Sequence, residues 1–289
     1  MPIIEPVIRP PSEADSFLLQ VTLGCSADRC RFCGAYKTKS FCIKDPKEIF
    51  ADIDDHARRH PDTRRVFLMD GDALVLSHEK LVPILKKLAE RFPKLSRVSA
   101  YANGRNIAQK SDAELADLRA YQLSLMYMGL ETGSQEILDR MEKSSSVEEM
   151  VDAVRRADNA QIKSSVIVLL GLGGREHSKA HVEATIAALN RMQPRYLSFL
   201  TLMIVPGTPL AQDVRARRFT PLDPYELTSE AYAIIQGLDL PRTVFRSNHA
   251  SNYLALEGTL PKDKERLLQE LKCALDGTIA LRPELLRGL

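Results

Sequence analysis

The feature that most constrains the fold of this chain is a sixfold alternation of apolar runs and amphipathic stretches between about residues 16 and 205. The apolar runs, such as Arg65–Met69 and residues 164–170, are nearly continuous, which is typical of strands covered on both faces. Strands of this kind that alternate with helices form a parallel sheet. Six units are too few for a closed eight-stranded barrel, so the pattern predicts an α/β fold, either a partial barrel or an open doubly wound sheet.

Polar or glycine-rich segments follow each of these predicted strands. In both candidate folds ligands bind at the carboxyl ends of the strands, so we predict that these segments build the active site. In chain order they are residues 24–37, 70–72, 103–104, 131–134, 171–174 and 205–209.

The loop after the first predicted strand contains three of the five cysteines, Cys25, Cys30 and Cys33, with the spacing C-x4-C-x2-C. A loop at a strand end can wrap several thiolates round one metal centre. Three thiolates can bind three irons of a [4Fe–4S] cluster and leave the fourth iron open for chemistry. Two alternatives remain, a four-thiolate zinc or cluster site that includes Cys42, and unrelated buried thiols. We expect Cys42 and Cys273 to be ordinary small apolar residues.

This loop resembles the cluster loop of the radical S-adenosylmethionine (radical SAM) superfamily, in which an aromatic residue precedes the last cysteine, as Phe32 does here. The usual spacing is C-x3-C-x2-C, so this chain has one additional residue between the first two cysteines. The resemblance implies that Cys25, Cys30 and Cys33 bind a [4Fe–4S] cluster and that Phe32 packs near the adenine of SAM. It also implies a partial (β/α)6 barrel over residues 16–210.

Residues at the ends of the second and third predicted strands also match positions that the family uses. The segment Asp70-Gly71-Asp72 stands where the family carries a Gly-Gly-Glu motif that receives the amino group of SAM. Here the first glycine is replaced by Asp70, and the acid at the end is the shorter Asp72. Asn103, which ends the third strand, is a candidate for hydrogen bonds to the ribose.

The segment Gly-Leu-Glu-Thr-Gly-Ser at residues 129–134 is the second specific motif. It resembles the fourth-strand signature of the branch that contains the Elongator catalytic subunit, the methylthiotransferases and relatives of coproporphyrinogen dehydrogenase. The resemblance implies that Glu131 hydrogen-bonds the ribose and that Lys143 pairs with the SAM carboxylate. Glu131 alternatively caps the helix that follows it.

The ends of the fifth and sixth predicted strands complete the expected SAM site. Residues 166–173 resemble the glycine motif of the fifth strand, which implies that Ile167 and Gly171 lie against the adenine. The turn that begins at Val205 resembles the one that closes the adenine side. Without the resemblance, residues 171–174 are a tight turn, and they lack the position and spacing of a dinucleotide fingerprint.

The resemblance implies a radical SAM enzyme with a [4Fe–4S] cluster and SAM as cofactors. Such an enzyme cleaves SAM reductively to a 5′-deoxyadenosyl radical, which abstracts hydrogen from a small organic substrate. It also implies an electron donor such as flavodoxin or ferredoxin. Alternatives are a coproporphyrinogen dehydrogenase-like oxidative decarboxylase, a non-catalytic zinc or iron–sulfur scaffold, and a nucleotide-binding α/β protein with incidental cysteines.

Charge and composition limit the other classes of function. The net charge is +2 with acids and bases intermixed, so nucleic acid is an unlikely partner. We see no membrane-length apolar run and no signal peptide, and the odd number of cysteines favours a reducing cytoplasm. Residues 1–15 are predicted to be an irregular lead-in, and residues 211–289 a mostly helical extension. Its polar turn, residues 246–252 with His249, is a candidate lid over the substrate.

Overall fold

The computed structural model describes residues 3–288, and over this range strands and helices alternate as the sequence predicts. The strands are β1 (Phe17–Gln20), β2 (Thr22–Leu23), β3 (Cys42–Ile43), β4 (Arg65–Met69), β5 (Arg97–Ala102), β6 (Leu123–Glu131), β7 (Lys163–Leu170), β8 (Tyr196–Thr201), β9 (Val244–Ser247) and β10 (Leu256–Thr259). The helices are α1 (Pro46–Arg59), α2 (His78–Arg91), α3 (Gly104–Ala108), α4 (Asp112–Ala120), α5 (Gln135–Arg140), α6 (Val147–Asn159), α7 (Gly174–Met192), α8 (Pro209–Arg215), α9 (Pro224–Gly237) and α10 (Lys264–Leu275).

Within residues 3–288 the strands form one eight-stranded sheet in the order β1-β4-β5-β6-β7-β8-β9-β10 and a small sheet of β2 and β3. The pairing is parallel from β1 to β4, for example with Phe17 opposite Val66, and parallel from β8 to β9. Strand β10 is antiparallel to β9. The predicted α/β fold with a mostly parallel sheet is confirmed. The C-terminal tail, from residue 211 onward, contributes β9 and β10, which the sequence pattern did not predict.

Local sequence signals explain where several helices begin. The Ser111 side chain accepts a hydrogen bond from the Glu114 N–H, and the Glu114 carboxylate accepts one from the Ser111 N–H. The same reciprocal bonds join Ser146 and Glu149 at the start of α6. Each capping box satisfies two backbone donors that a helix end otherwise leaves open. Both predicted capping boxes are therefore present in the structure.

Contacts between residues divide the chain into two compact units, which we describe separately. In the described residues, the first unit comprises 3–29, 35–128 and 155–164, and the second comprises 30–34, 129–154 and 165–288. The core of the first unit is centred on β4, in which Val66, Phe67, Leu68 and Met69 are fully buried. The core of the second unit includes Phe199 on β8 and Phe245 on β9, whose rings meet edge to face.

Part of the polar turn at residues 246–252, the predicted candidate lid, is built into the sheet. Arg246 and Ser247 belong to β9, and the Asn252 side chain is buried. Its Nδ2 donates to the Phe199 carbonyl oxygen at 2.7 Å, and its Oδ1 accepts from the Thr201 hydroxyl at 2.9 Å. The turn therefore satisfies polar groups at the end of β8, and its role as a lid stays a prediction. In the described part of the chain, every helix is too short or too polar to cross a bilayer.

Candidate active site

The cysteine loop starts directly after β2, in the first unit, and Asp70 fixes that start. Gly24, which precedes Cys25, donates its N–H to Asp70 Oδ2 at 2.9 Å. The Gly71 N–H donates to the Gly24 carbonyl oxygen, also at 2.9 Å. Two reciprocal bonds thus join the start of the loop to the turn after β4.

The Asp70 side chain also contacts Lys39, just beyond the end of the loop. It is fully buried and accepts from Lys39 Nζ at 3.2 Å, and the Lys39 side chain is only 5% exposed. Gln20 Nε2 lies 3.4 Å from both carboxylate oxygens. Asp70 adopts φ +67°, a left-handed conformation that aspartate tolerates better than most residues. Asp70 therefore joins both ends of the cysteine loop.

Asp72, the second acid of the motif, holds the interior of the loop. Its carboxylate accepts hydrogen bonds from the Ser26 hydroxyl, from Asn103 Nδ2 at 2.9 Å and from Asn106 Nδ2 at 2.5 Å. Burial raises the pKa of Asp72, and these hydrogen bonds oppose that shift. Asn103 Oδ1 accepts from the Asn106 N–H and caps α3. The structure thus brings together two predicted site residues, Asp72 and Asn103, and both side chains are engaged with protein groups.

Gly71, between the two acids, allows the loop to approach the turn closely. A Cβ atom at this position would lie 2.5 Å from Cys25 Cβ and 2.9 Å from Cys25 Sγ, and 3.0 Å from the Tyr36 ring. Such distances are not tolerated without a shift of the backbone. Glycine at position 71 is therefore required for the observed place of Cys25, and the Cys25 thiol lies 3.8 Å from the Gly71 carbonyl oxygen.

In the second unit, Cys30 and Cys33 lie on a tight turn that is held through Arg31. The Cys33 N–H donates to the Cys30 carbonyl oxygen at 3.3 Å. The Arg31 N–H donates to the Met141 carbonyl oxygen, and the Arg31 carbonyl oxygen accepts from the Leu210 N–H, both at 3.0 Å. Cys30 is buried and Cys33 is half-buried. The backbone between the two cysteines is therefore fixed on both sides.

Phe32 and Val205 pack as apolar residues beside this turn. Phe32 is partly buried against a cluster that includes Met141, Leu172 and Phe219. A Cβ atom on Gly34 would lie 2.7 Å from Val205 Cγ1, so the Val205 side chain rests on the Gly34 backbone. The two residues that we expected near the adenine thus both adjoin the second half of the cysteine loop.

Glu131 and Lys143 form an ion pair at the end of β6. Lys143 Nζ donates to Glu131 Oε1 at 2.8 Å, and the two side chains are 14% and 13% exposed. Glu131 adopts φ +64°, which turns the chain at this point. A Cβ atom on Gly129 would lie 2.1 Å from Glu131 Oε1, so the glycine leaves the space that the pair occupies. Two residues with expected SAM contacts are therefore neighbours.

The turn after β7 involves a residue that the sequence analysis missed. Ile167 lies on β7 and is partly buried, and Gly171 adopts φ +82° at the turn. The Gly171 N–H donates to Glu230 Oε2 at 2.6 Å, and the Glu230 side chain is buried. Glu230 lies on α9, 59 residues further along the chain, and no local motif marks it.

The donor set of the loop fits a [4Fe–4S] cluster. The loop contains three thiols, and in the first unit Gly71 leaves space for Cys25 where a side chain would collide with it. The cysteines of a cluster bind different irons, whereas the ligands of a structural zinc meet at one ion. Cys42 lies on β3 and is exposed.

Comparisons with known proteins show which families and folds this chain resembles. Residues 19–189, more than half of the chain, match the model of the radical SAM superfamily. The anaerobic magnesium-protoporphyrin IX monomethyl ester cyclase of Cereibacter sphaeroides is 25% identical over 64% of this chain and 30% of its own length. A putative L-lysine 2,3-aminomutase of Aquifex aeolicus is 39% identical over 26% of this chain and 20% of its own length. These alignments thus span a third or less of each relative.

A solved structure shares the fold at low sequence identity. The crystal structure of methylornithine synthase superposes with a TM-score of 0.55 at 14% identity, and covers 89% of this chain and 68% of its own.

Proposed function

Because the chain belongs to the radical SAM superfamily, we propose that Cys25, Cys30 and Cys33 bind a [4Fe–4S] cluster and that SAM lies along the neighbouring strand ends. The superfamily uses this cluster and SAM as cofactors, and its members are enzymes. The observation that carries the proposal is the matched segment, which contains all three cysteines and the Glu131–Lys143 pair. The branch within the superfamily stays a prediction.

When bound, the cluster and SAM together supply a 5′-deoxyadenosyl radical that abstracts hydrogen from the substrate. The protein contributes positioning and the exclusion of other hydrogen donors. Asp70 and Asp72 hold the loop that carries Cys25, and the backbone of Arg31 holds Cys30 and Cys33. No side-chain general base is required for the hydrogen abstraction.

The residues at the strand ends have the chemistry that SAM requires. We assign Glu131 to the ribose hydroxyls and Lys143 to the SAM carboxylate, because each is a charged group held at the end of β6. Phe32, Ile167, Gly171 and Val205 provide apolar surface and backbone groups for the adenine.

At residues 70–72, which follow β4, our assignment differs from the role of the Gly-Gly-Glu motif in the family. The Asp70 and Asp72 carboxylates are engaged by the loop, and Asn103 by Asp72 and α3. The backbone carbonyl groups of residues 70–72 are therefore our assignment for the SAM amino group. Asn103 remains a candidate ribose partner, but its side chain would have to give up its hydrogen bonds to Asp72 and to the N–H group at the start of α3.

We propose a small organic substrate and an electron donor such as flavodoxin or ferredoxin. Enzymes of the superfamily need a reductant. A tetrapyrrole is the second candidate substrate, because the relative from Cereibacter sphaeroides is named for a protoporphyrin ester. Residues 16–210 are the proposed catalytic core. Separate addition of magnesium-protoporphyrin IX monomethyl ester and of coproporphyrinogen III to the assay below tests the tetrapyrrole, since a substrate should raise the rate of 5′-deoxyadenosine formation.

The first test separates the three-cysteine cluster from the four-thiolate alternative. We expect Cys30→Ala to lose most of the bound iron after anaerobic reconstitution and all formation of 5′-deoxyadenosine with dithionite and SAM. Cys42→Ala is the matched control, because Cys42 is exposed on β3. It should keep the iron content and the activity of the wild type. The readouts are iron and sulfide per chain, the absorption near 400 nm, and chromatography of the nucleoside.

Two results would contradict the proposal. Loss of metal in Cys42→Ala would favour a site with four thiolates. Full iron binding in Cys30→Ala would mean that this cysteine is not a ligand.

A further inference from the structure

A network of buried polar groups surrounds Glu230 on α9. Its Oε2 accepts from the Gly171 N–H at 2.6 Å, and its Oε1 accepts from the Ser178 hydroxyl at 2.7 Å. His181 Nε2 lies 3.7 Å from Glu230 Oε2, and both side chains are fully buried. Buried carboxylates are uncommon unless their oxygens are used, so this carboxylate has a specific role in the structure.

The same network continues to the end of β6. His181 Nδ1 lies 2.8 Å from the Thr132 hydroxyl, and the Gly133 N–H donates to the Thr185 hydroxyl at 2.9 Å. Thr132 and Gly133 directly follow Glu131. His181 and Thr185 lie one turn apart on α7, and Ser178 precedes them on the same helix. Helix α7 therefore joins the turn after β6 to the turn after β7 through polar side chains.

We propose that Glu230, together with His181, is a positioning residue for SAM, which holds the turn of Gly171 and the segment of Glu131 in their binding geometry. The inference rests on the proposed function for the choice of ligand. Glu230 lies outside the matched residues 19–189, so the tail would supply this part of the site. Neither Glu230 nor His181 is required by the chemistry described above.

The conformation of the Gly171 turn explains why a buried acceptor is needed at position 230. Gly171 is buried with φ +82°, and its N–H points to Glu230. A buried N–H without an acceptor costs free energy, so the turn would change its conformation or admit water if the carboxylate were removed. Glutamine can accept the same hydrogen bond and has nearly the same shape.

The experiment compares Glu230→Ala and Glu230→Gln with Asn190→Ala. Asn190 also lies on α7, but its side chain bonds the Gly237 carbonyl oxygen and the Asp239 N–H, near the other end of the helix. Amide hydrogen exchange of the apo protein reports on residues 169–174 and 131–134, and equilibrium dialysis of the reconstituted protein reports the Kd of SAM. Ser178→Ala is a milder variant that removes one donor to Glu230, in case Glu230→Ala does not fold.

We expect exchange in both turns to rise about tenfold in Glu230→Ala, with SAM affinity about tenfold weaker, because one lost buried hydrogen bond has this magnitude. Glu230→Gln should stay within about threefold of the wild type in both measurements, and Asn190→Ala should change neither turn. Ser178→Ala should also raise hydrogen exchange in both turns and weaken SAM binding, by less than Glu230→Ala does.

The proposal is overturned if Glu230→Ala leaves both turns protected, or exposes them without any change in SAM affinity. It is also overturned if Asn190→Ala weakens SAM binding as much as Glu230→Ala does. A wild-type protein that forms its cluster but does not bind SAM would contradict the proposed function instead. The hydrogen exchange of the turns would still decide whether Glu230 positions them.

Discussion

The buried pair of Asp70 and Lys39 gives a structural reason for an acid at position 70. The carboxylate accepts from Gly24 before Cys25 and from Lys39 after the cysteine loop. A glycine at position 70 would permit the same backbone angle, but it would leave the Lys39 charge without its acid. Asp70 therefore serves the structure of the cysteine loop.

Removal of the Asp70 carboxylate should destabilise the protein strongly. We expect Asp70→Ala to lower the free energy of unfolding by about 3–5 kcal/mol, because it leaves Lys39 as a buried charge without its partner. Urea denaturation of the apo protein measures this change. Asp55→Ala is the control, since Asp55 pairs with Arg58 and Arg59 on the exposed side of α1 and its loss should cost far less stability. Equal losses in the two variants would contradict a special role for Asp70.

The sequence pattern predicts which polar residues lie at the strand ends, but not which side chains they contact. The place of Asp72 and Asn103 at adjacent strand ends follows from the strand pattern, because parallel strands end at the same edge. Their mutual hydrogen bond, and the contact of Asp72 with Ser26, depend on distances that only the folded chain sets. Glu230 was missed although it lies on the buried face of α9 together with Leu227. An acid at helical spacing among apolar residues is the signal that could have found it.

At the scale of elements, burial between α7 and α9 shifts the pKa values of two titratable groups in opposite directions. Burial raises the pKa of Glu230 to about 7 and lowers the pKa of His181 to about 4. Between about pH 4.5 and 6.5 the native pair is a neutral acid with a neutral imidazole, whereas the unfolded pair is a carboxylate with an imidazolium. Both states hold one proton, so the pair adds little pH dependence to the free energy of unfolding.

Glu230→Gln should leave His181 as the only titrating group of the pair and so reveal its effect on stability. In that variant the unfolded chain takes up a proton at His181 below about pH 6.5, and the native state does so only near pH 4. Unfolding is then favoured by acid, and we expect the variant to lose about 2 kcal/mol between pH 7 and pH 5 relative to the wild type. Urea denaturation at the two pH values measures the difference. An equal slope in both proteins would mean that the two groups do not titrate as stated.

Elements with their own local signals were predicted, and elements without them were not. The helices that start at Ser111 and Ser146 have capping boxes, and β4 and β7 are apolar runs. Strands β9 and β10 have four residues each, with sequences Val-Phe-Arg-Ser and Leu-Glu-Gly-Thr. Their strand conformation depends on pairing with β8 and with each other, which is a tertiary effect.

At the scale of the molecule, the tail continues the sheet instead of resting on it as helices alone. Phe245 on β9 is fully buried and meets Phe199 on β8 at 4.9 Å between ring centroids. Asn252 adds hydrogen bonds to the same strand. Residues beyond the matched segment therefore contribute to the core of the second unit.

We expect Phe245→Ala to lower the free energy of unfolding by about 3–5 kcal/mol, because it opens a cavity in this core. Tyr225→Ala provides the comparison, since this tail residue is 55% exposed and its loss should change stability by less than about 0.5 kcal/mol. Thermal and urea unfolding of the two variants give the result. A small effect at Phe245 would show that the tail folds independently of β8.

The fixed backbone of Arg31 has a consequence for how the protein acquires iron. Its N–H and carbonyl oxygen bond to residues 141 and 210, which lie far along the chain. These bonds restrict the backbone between Cys30 and Cys33, so a metal that binds there has less conformational entropy to remove, which increases affinity for any thiophilic ion. Preorganisation of this kind does not discriminate iron from zinc or copper(I). Because residue 210 has to be in place for these bonds, the turn is complete only after most of the chain has been synthesised and folded.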